Sequence, residues 1–67
     1  VIEFLLIISI FGTPVLQTGP FDADQCTAQK AYAEAMVDQQ VAFGDPVIRD
    51  GRIVTRDDVQ VDCVPKG

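Results

Sequence analysis

The chain has 67 residues, a formal charge of −5, two cysteines, no histidine and no tryptophan. That length allows one small domain over residues 1–67, and a chain of this size buries only about 60% of the surface its unfolded form exposes. Without histidine there is no Ser-His or Cys-His pair, and no glycine-rich phosphate loop occurs, so no catalytic or cofactor-binding residue is assigned and the protein is expected not to be an enzyme.

The first segment, Val1 to Phe11, is almost wholly apolar and ends at Gly12-Thr13-Pro14. Its β-branched and aromatic content predicts a strand. Alternation puts Ile2, Phe4, Leu6, Ile8 and Ile10 on one face and Leu5, Ile7 and Phe11 on the other, with Glu3 and Ser9. A strand with one solvated face alternates with polar residues. This one does not, so Leu5, Ile7 and Phe11 are the candidate interface for a protein partner or a second copy. A competing reading makes residues 1–16 a membrane anchor or a secretory signal. It is the weaker one, because a signal wants a basic start and a span needs about 20 apolar residues. Here the early charge is Glu3, and Gly12 to Pro20 is rich in breakers.

Val15 to Thr18 is expected to return as a short second strand, with Gly19-Pro20 breaking it. Phe21-Asp22-Ala23-Asp24-Gln25-Cys26 then carries a helix start. Asp22 is the N-cap, Gln25 completes a capping box, and Phe21 and Cys26 have the spacing of a hydrophobic staple. The helix is expected over about residues 22–43, with Gly44 at C′ and Asp45-Pro46 preventing continuation. Cys26, Ala33, Val37 and Val41 form its apolar stripe, and Tyr32, Met36 and Phe43 are expected to widen it as core edge. Asp24, Glu34 and Asp38 lie elsewhere on the helix, an acidic face that a basic enzyme or nucleic-acid-binding protein would meet if the chain were a small inhibitor.

Asp50-Gly51, between Val47-Ile48-Arg49 and Arg52-Ile53-Val54, is a hairpin signal. Val59 to Val64 alternates as a last strand, with Val59, Val61 and Cys63 inward, and Pro65-Lys66-Gly67 closes the chain. The expected architecture is therefore α+β: a small antiparallel sheet, made of an N-terminal hydrophobic hairpin and the C-terminal strand or strands, with one amphipathic helix on one face.

Cys26 and Cys63 both fall on inward faces. A disulfide closing their loop of about 38 residues would contribute roughly 4 kcal/mol in loop entropy, and this is the favoured reading. The alternative is two reduced core thiols. The bond would imply an oxidising place, such as the periplasm or a virion surface. No metal site is assigned. Two cysteines without histidine do not make a zinc site, and Asp22, Asp24, Asp57 and Asp58 lack the calcium-loop spacing. Nucleic acid is not an expected partner, since Arg49, Arg52 and Arg56 are interleaved with Asp45, Asp50, Asp57 and Asp58.

The order of an apolar strand, a helix start with Phe21 and Cys26, and an ending with Cys63 and Pro65 resembles a loose group of small phage and bacterial accessory proteins. The segment Gly44 to Asp58 is longer than in that group. The resemblance implies a structural protein, most concretely a minor or decorating subunit of a phage virion, and carries no catalytic residue.

Overall fold

Strict alternation along an apolar segment organises the sheet. A computed structural model describes residues 2–66, so Val1 and Gly67, the ends of the expected first strand and of the closing segment, lie outside the described residues. Strand β1 (Phe4–Ile10) is central, flanked by β2 (Thr13–Phe21) and by the last strand, β5 (Val59–Pro65). Both pairings are antiparallel. Helix α1 (Ala23–Phe43) crosses one face, and β3 (Ile48–Arg49) and β4 (Arg52–Ile53) form a separate two-stranded hairpin. The fold is α+β. Over the described part of residues 1–16 the chain is strand and turn, with no helix.

The first turn comes one residue earlier than expected. Phe11 and Gly12 both have positive φ, 53° and 80°, and Ile10 pairs with Thr13. Positive φ at both central residues makes a type I′ hairpin turn, so Phe11 drops out of the strand's alternation. Asp50 and Gly51, at φ 54° and 76°, make the corresponding turn between Arg49 and Arg52, as the Asp-Gly pair predicts.

Strand β2 is longer than Val15 to Thr18 and runs through Gly19-Pro20. It is an edge strand, where proline is tolerated. Two bulges absorb the irregularity: Gly19 and Pro20 lie opposite Leu5, and Val15 is extra between Leu16 and Pro14. Gly19 has φ 125°, and a Cβ there would sit 3.0 Å from the Phe4 carbonyl oxygen and 3.4 Å from Leu5 Cδ2. Glycine is required by both the conformation and the close approach.

Helix α1 begins as the sequence predicts. The Asp22 side chain accepts the Gln25 N–H at 2.7 Å, and the Gln25 side chain accepts the Asp22 N–H at 3.4 Å. Phe21 packs with Cys26 against Leu6 and Val61, which is the staple in place. Its end differs from expectation. Gly44 is extended, at φ −85°, rather than left-handed. A Cβ there would displace the amide end of the flexible Gln40 side chain.

The packed stripe of α1 is narrow. Cys26 is buried, and Lys30, Ala33 and Val37 are half-buried, at spacings of four, three and four. Tyr32, Met36 and Phe43 do not widen it: they are 64%, 50% and 89% exposed. On a helical wheel they lie about a quarter-turn or more from Cys26 and Val37, beyond the reach of a sheet only three strands wide. Among the described residues, Leu6, Cys26, Val54, Val59 and Val61 make the buried core.

Cys26 and Cys63 are bonded, with Cα atoms 6.2 Å apart. Cys63 pairs with Leu6 on the central strand, so the bond ties the first turn of α1 to the middle of the sheet. It closes a sequence separation of 37 residues. Reduction is expected to remove about 4 kcal/mol of stability, comparable to the whole stability of a small domain. Cys26→Ala, Cys63→Ala and the double variant should melt alike, because each removes the same bond. Two free thiols by intact mass in native protein, with melting indifferent to reductant, would contradict the bond.

Candidate functional site

The length mismatch between helix and sheet creates a concavity. Twenty-one helical residues span about 31 Å, whereas the seven residues of β1 span about 24 Å. The first turn of α1 is fixed at the Leu6 level by the disulfide, so the helix overhangs the Ile10 end of the sheet. The segment from Gly44 to Thr55 folds under this overhang and fills it incompletely. An open groove of about 370 Å³ remains, between Val37 and Val41 of the helix, Ile8 and Ile10 of the sheet, and Val47 and Ile53 of the hairpin.

Several of the groove's polar groups are bonded within the chain. Gln40 Nε2 donates to the Asp45 carbonyl oxygen at 3.0 Å, holding the post-helix segment against α1. Thr55 donates both its N–H and its hydroxyl to Asp58 Oδ2 at 2.9 Å. The Val54 N–H donates to the Val47 carbonyl oxygen at 2.8 Å and closes the base of the hairpin. What faces the open volume is therefore chiefly branched aliphatic surface.

Four contacts tie the segment below the groove to the helix and the sheet. Arg52 of β4 stacks over the Phe11 ring, 3.9 Å from its centroid. The Phe11 N–H donates to the Asp58 carbonyl oxygen at 3.0 Å. Arg56 donates to Asp38 of the helix at 2.5 Å and to the Val59 carbonyl oxygen at 3.0 Å. Each exposed ion or cation–π contact contributes modestly, about 1 kcal/mol or less. Together they fix the hairpin's position.

The expected interface residues separate. Leu5 and Ile7 lie on the sheet face away from the helix, opposite Val64 and Asp62 of β5, and both are half-buried. Phe11 does not join them. Its turn conformation takes it out of register, and its ring is the platform for Arg52. The acidic helix face is partly neutralised: Asp38 pairs with Arg56, and Glu34 lies 4.0 Å from Lys30. Asp24 is exposed in the first turn. Of the three clustered arginines, Arg52 and Arg56 are engaged as described.

Among the described residues no group of three histidine, cysteine or acidic side chains is arranged to hold a metal ion. No helix among them is long and apolar enough to cross a membrane. The disulfide points to an oxidising setting outside the cytoplasm. No family model, characterised protein or solved structure matches the chain. The groove itself was not foreseen in the sequence. The signal for it was the surplus of Val and Ile in a segment with only two short strand runs.

The Asp58 carboxyl is held low by its neighbours. The Thr55 N–H, then the Thr55 hydroxyl, hold its carboxyl below the ordinary carboxylate range, with Arg52 assisting and desolvation opposing. A lowered folded-state pKa gives stability that is present above the unfolded value and lost as pH falls through the folded one. Asp58→Asn should therefore lower the melting temperature at neutral pH. The gap to the parent protein should close as pH drops below about 4. Thermal melts across that range check it, and a gap independent of pH would contradict the role of the charge.

Proposed function

We propose that the protein is a non-enzymatic interaction protein, a small subunit held within a larger protein assembly. The observation that carries this reading is its apolar surface. Phe43, Ile48, Tyr32 and Ile53 are 89%, 69%, 64% and 63% exposed, while the buried core of the described residues is five side chains. Single exposed apolar residues are ordinary, but clustered ones mark contact surfaces. Ile53 lines the groove, Ile48 is its cross-strand partner, and Phe43 ends the helix just before the lining residue Gly44. Leu5 and Ile7 add a second apolar strip on the outer sheet face.

A decorating or minor subunit of a phage virion is the specific form we favour. An exposed particle surface accommodates the disulfide, and the arrangement of Phe21, Cys26, Cys63 and Pro65 resembles that group of small accessory proteins. The acidic-inhibitor reading is weaker, because Asp38 and Glu34 have basic neighbours within the chain.

Size fractionation of gently prepared native material tests the assembly. The protein should elute with a particle many times the 7.3 kDa mass of the chain. Elution of all native material as monomer or dimer would overturn the reading.

A further inference from the structure

We infer that the free edge of β5 is a docking site for an extended strand of a different protein, one that sets a lysine or arginine opposite Asp62. The inference stands on the hydrogen-bond ladder of the sheet, not on the exposed apolar residues behind the assembly reading, so either can fail alone.

The ladder fixes which main-chain groups face outward. In an antiparallel pair, opposed residues alternate between those that exchange main-chain bonds and those that do not. The Phe11 N–H donates to the Asp58 carbonyl oxygen at 3.0 Å, and the Lys66 N–H donates to that of Glu3 at 2.8 Å. Both pairs continue the register of β1 with β5, which runs from Val59 to Pro65 without a bulge. The residues of β5 that bond β1 are therefore Gln60, Asp62 and Val64. Val59, Val61, Cys63 and Pro65 aim their main-chain groups the other way, where no strand lies. Val59 is satisfied there: its N–H donates to the Arg56 carbonyl oxygen, and its own carbonyl oxygen accepts from Arg56 Nη1. Among the described residues no group bonds the outward N–H and C=O of Val61 and Cys63. Val61 is 6% exposed, so water reaches its groups poorly. A buried main-chain group without a partner is costly, and a strand laid along the edge supplies the partners.

The two edges of the sheet differ. β2, at the other edge, carries Pro14, Pro20 and two bulges, the devices that keep strands off an edge. β5 carries none of these before Pro65, which opposes Phe4 at a position where the ladder uses no N–H.

Register and charge select the occupant. A second copy paired about a two-fold axis at Asp62 would match Val61 with Cys63, but it sets the two Asp62 carboxylates directly opposite, which is unfavourable. An axis at Val61 sets Cys63 against Val59, whose groups Arg56 occupies. An axis at Cys63 sets Val61 against Pro65, which has no N–H to give. A foreign strand is free of these conflicts. Asp62 is exposed at the middle of the edge, in a chain of charge −5. With an incoming strand it falls in a non-hydrogen-bonded pair, where side chains approach closest. A cation on the partner is the favourable neighbour there.

Amide NMR of the oxidised, isotope-labelled full chain tests the inference. The probes are short capped peptides, one alternating valine with lysine and one alternating valine with glutamate. The lysine peptide should shift the Val61 and Cys63 amides and slow their exchange with solvent. The glutamate peptide should bind about 10-fold more weakly. Asp62→Lys should reverse that order with melting unchanged, because the side chain is exposed. N-methylation of the Val61 amide in a synthetic chain removes an outward N–H, spares the β1 ladder, and should abolish the shifts. No shift at millimolar lysine peptide, equal binding of the two peptides, or shifts centred on Val41 and Ile53 of the groove would overturn the inference. Protection of Val61 and Cys63 that grows with protein concentration, without peptide, would give the edge to a second copy and overturn it too. Each of those results leaves the assembly reading to the size of the native material.

Discussion

The covalent link between the first turn of α1 and the middle of β5 is the constraint on which the rest of the molecule depends. With five buried side chains among the described residues, noncovalent burial alone is a thin basis for a fold. The Cys26–Cys63 bond removes loop entropy from the unfolded chain and sets the height at which the helix meets the sheet. The capping box and the Phe21 staple then fix its entry angle. Everything beyond that point follows from length. A helix pinned at its start and longer than the strand beneath it must overhang at its far end, and the groove is the space below.

That geometry also explains the division of labour along the chain. Near the disulfide, side chains from α1, β1 and β5 interlock, and Leu6, Cys26 and Val61 are buried together. Towards the helix C-terminus, hydrophobic packing gives way to polar ties at the surface: Arg52 over Phe11, Arg56 to Asp38, Gln40 to the Asp45 carbonyl. Phe11 accepts a left-handed backbone that a bulky residue seldom adopts. Its ring stacks under Arg52 and its N–H reaches Asp58, so the turn and the hairpin hold each other. The groove end is therefore held by polar ties at its surface around two buried valines, Val54 and Val59.

The sequence carried the local signals and the covalent one. Asp22 and Gln25 mark a helix start through chemistry confined to four residues, and Asp50-Gly51 marks a turn through backbone preference alone. Cys26 and Cys63 were legible because each sat on an inward face of its own element, and inward faces of one small core must meet. The errors arose where tertiary context overrides local preference. Gly19-Pro20 reads as a break, but an edge strand with bulges passes through it. Phe11 reads as the next outward residue of a strand, but the turn begins there. Tyr32, Met36 and Phe43 read as core because they are apolar. How wide a stripe a helix buries depends on the width of the sheet below it, and that width is not written in the helix.

The same reasoning gives the exposed aromatic its meaning. A helix of 21 residues over a sheet of this size needs no apolar residue at its last position, where solvent would be satisfied by any polar side chain. Phe43 stands there, 89% exposed, immediately before Gly44, which lines the groove. Burying a phenyl ring removes on the order of 150 Å² or more from water. The overhang that the disulfide and the helix length impose thus leaves an exposed aromatic at the helix end and an apolar-lined groove below the helix.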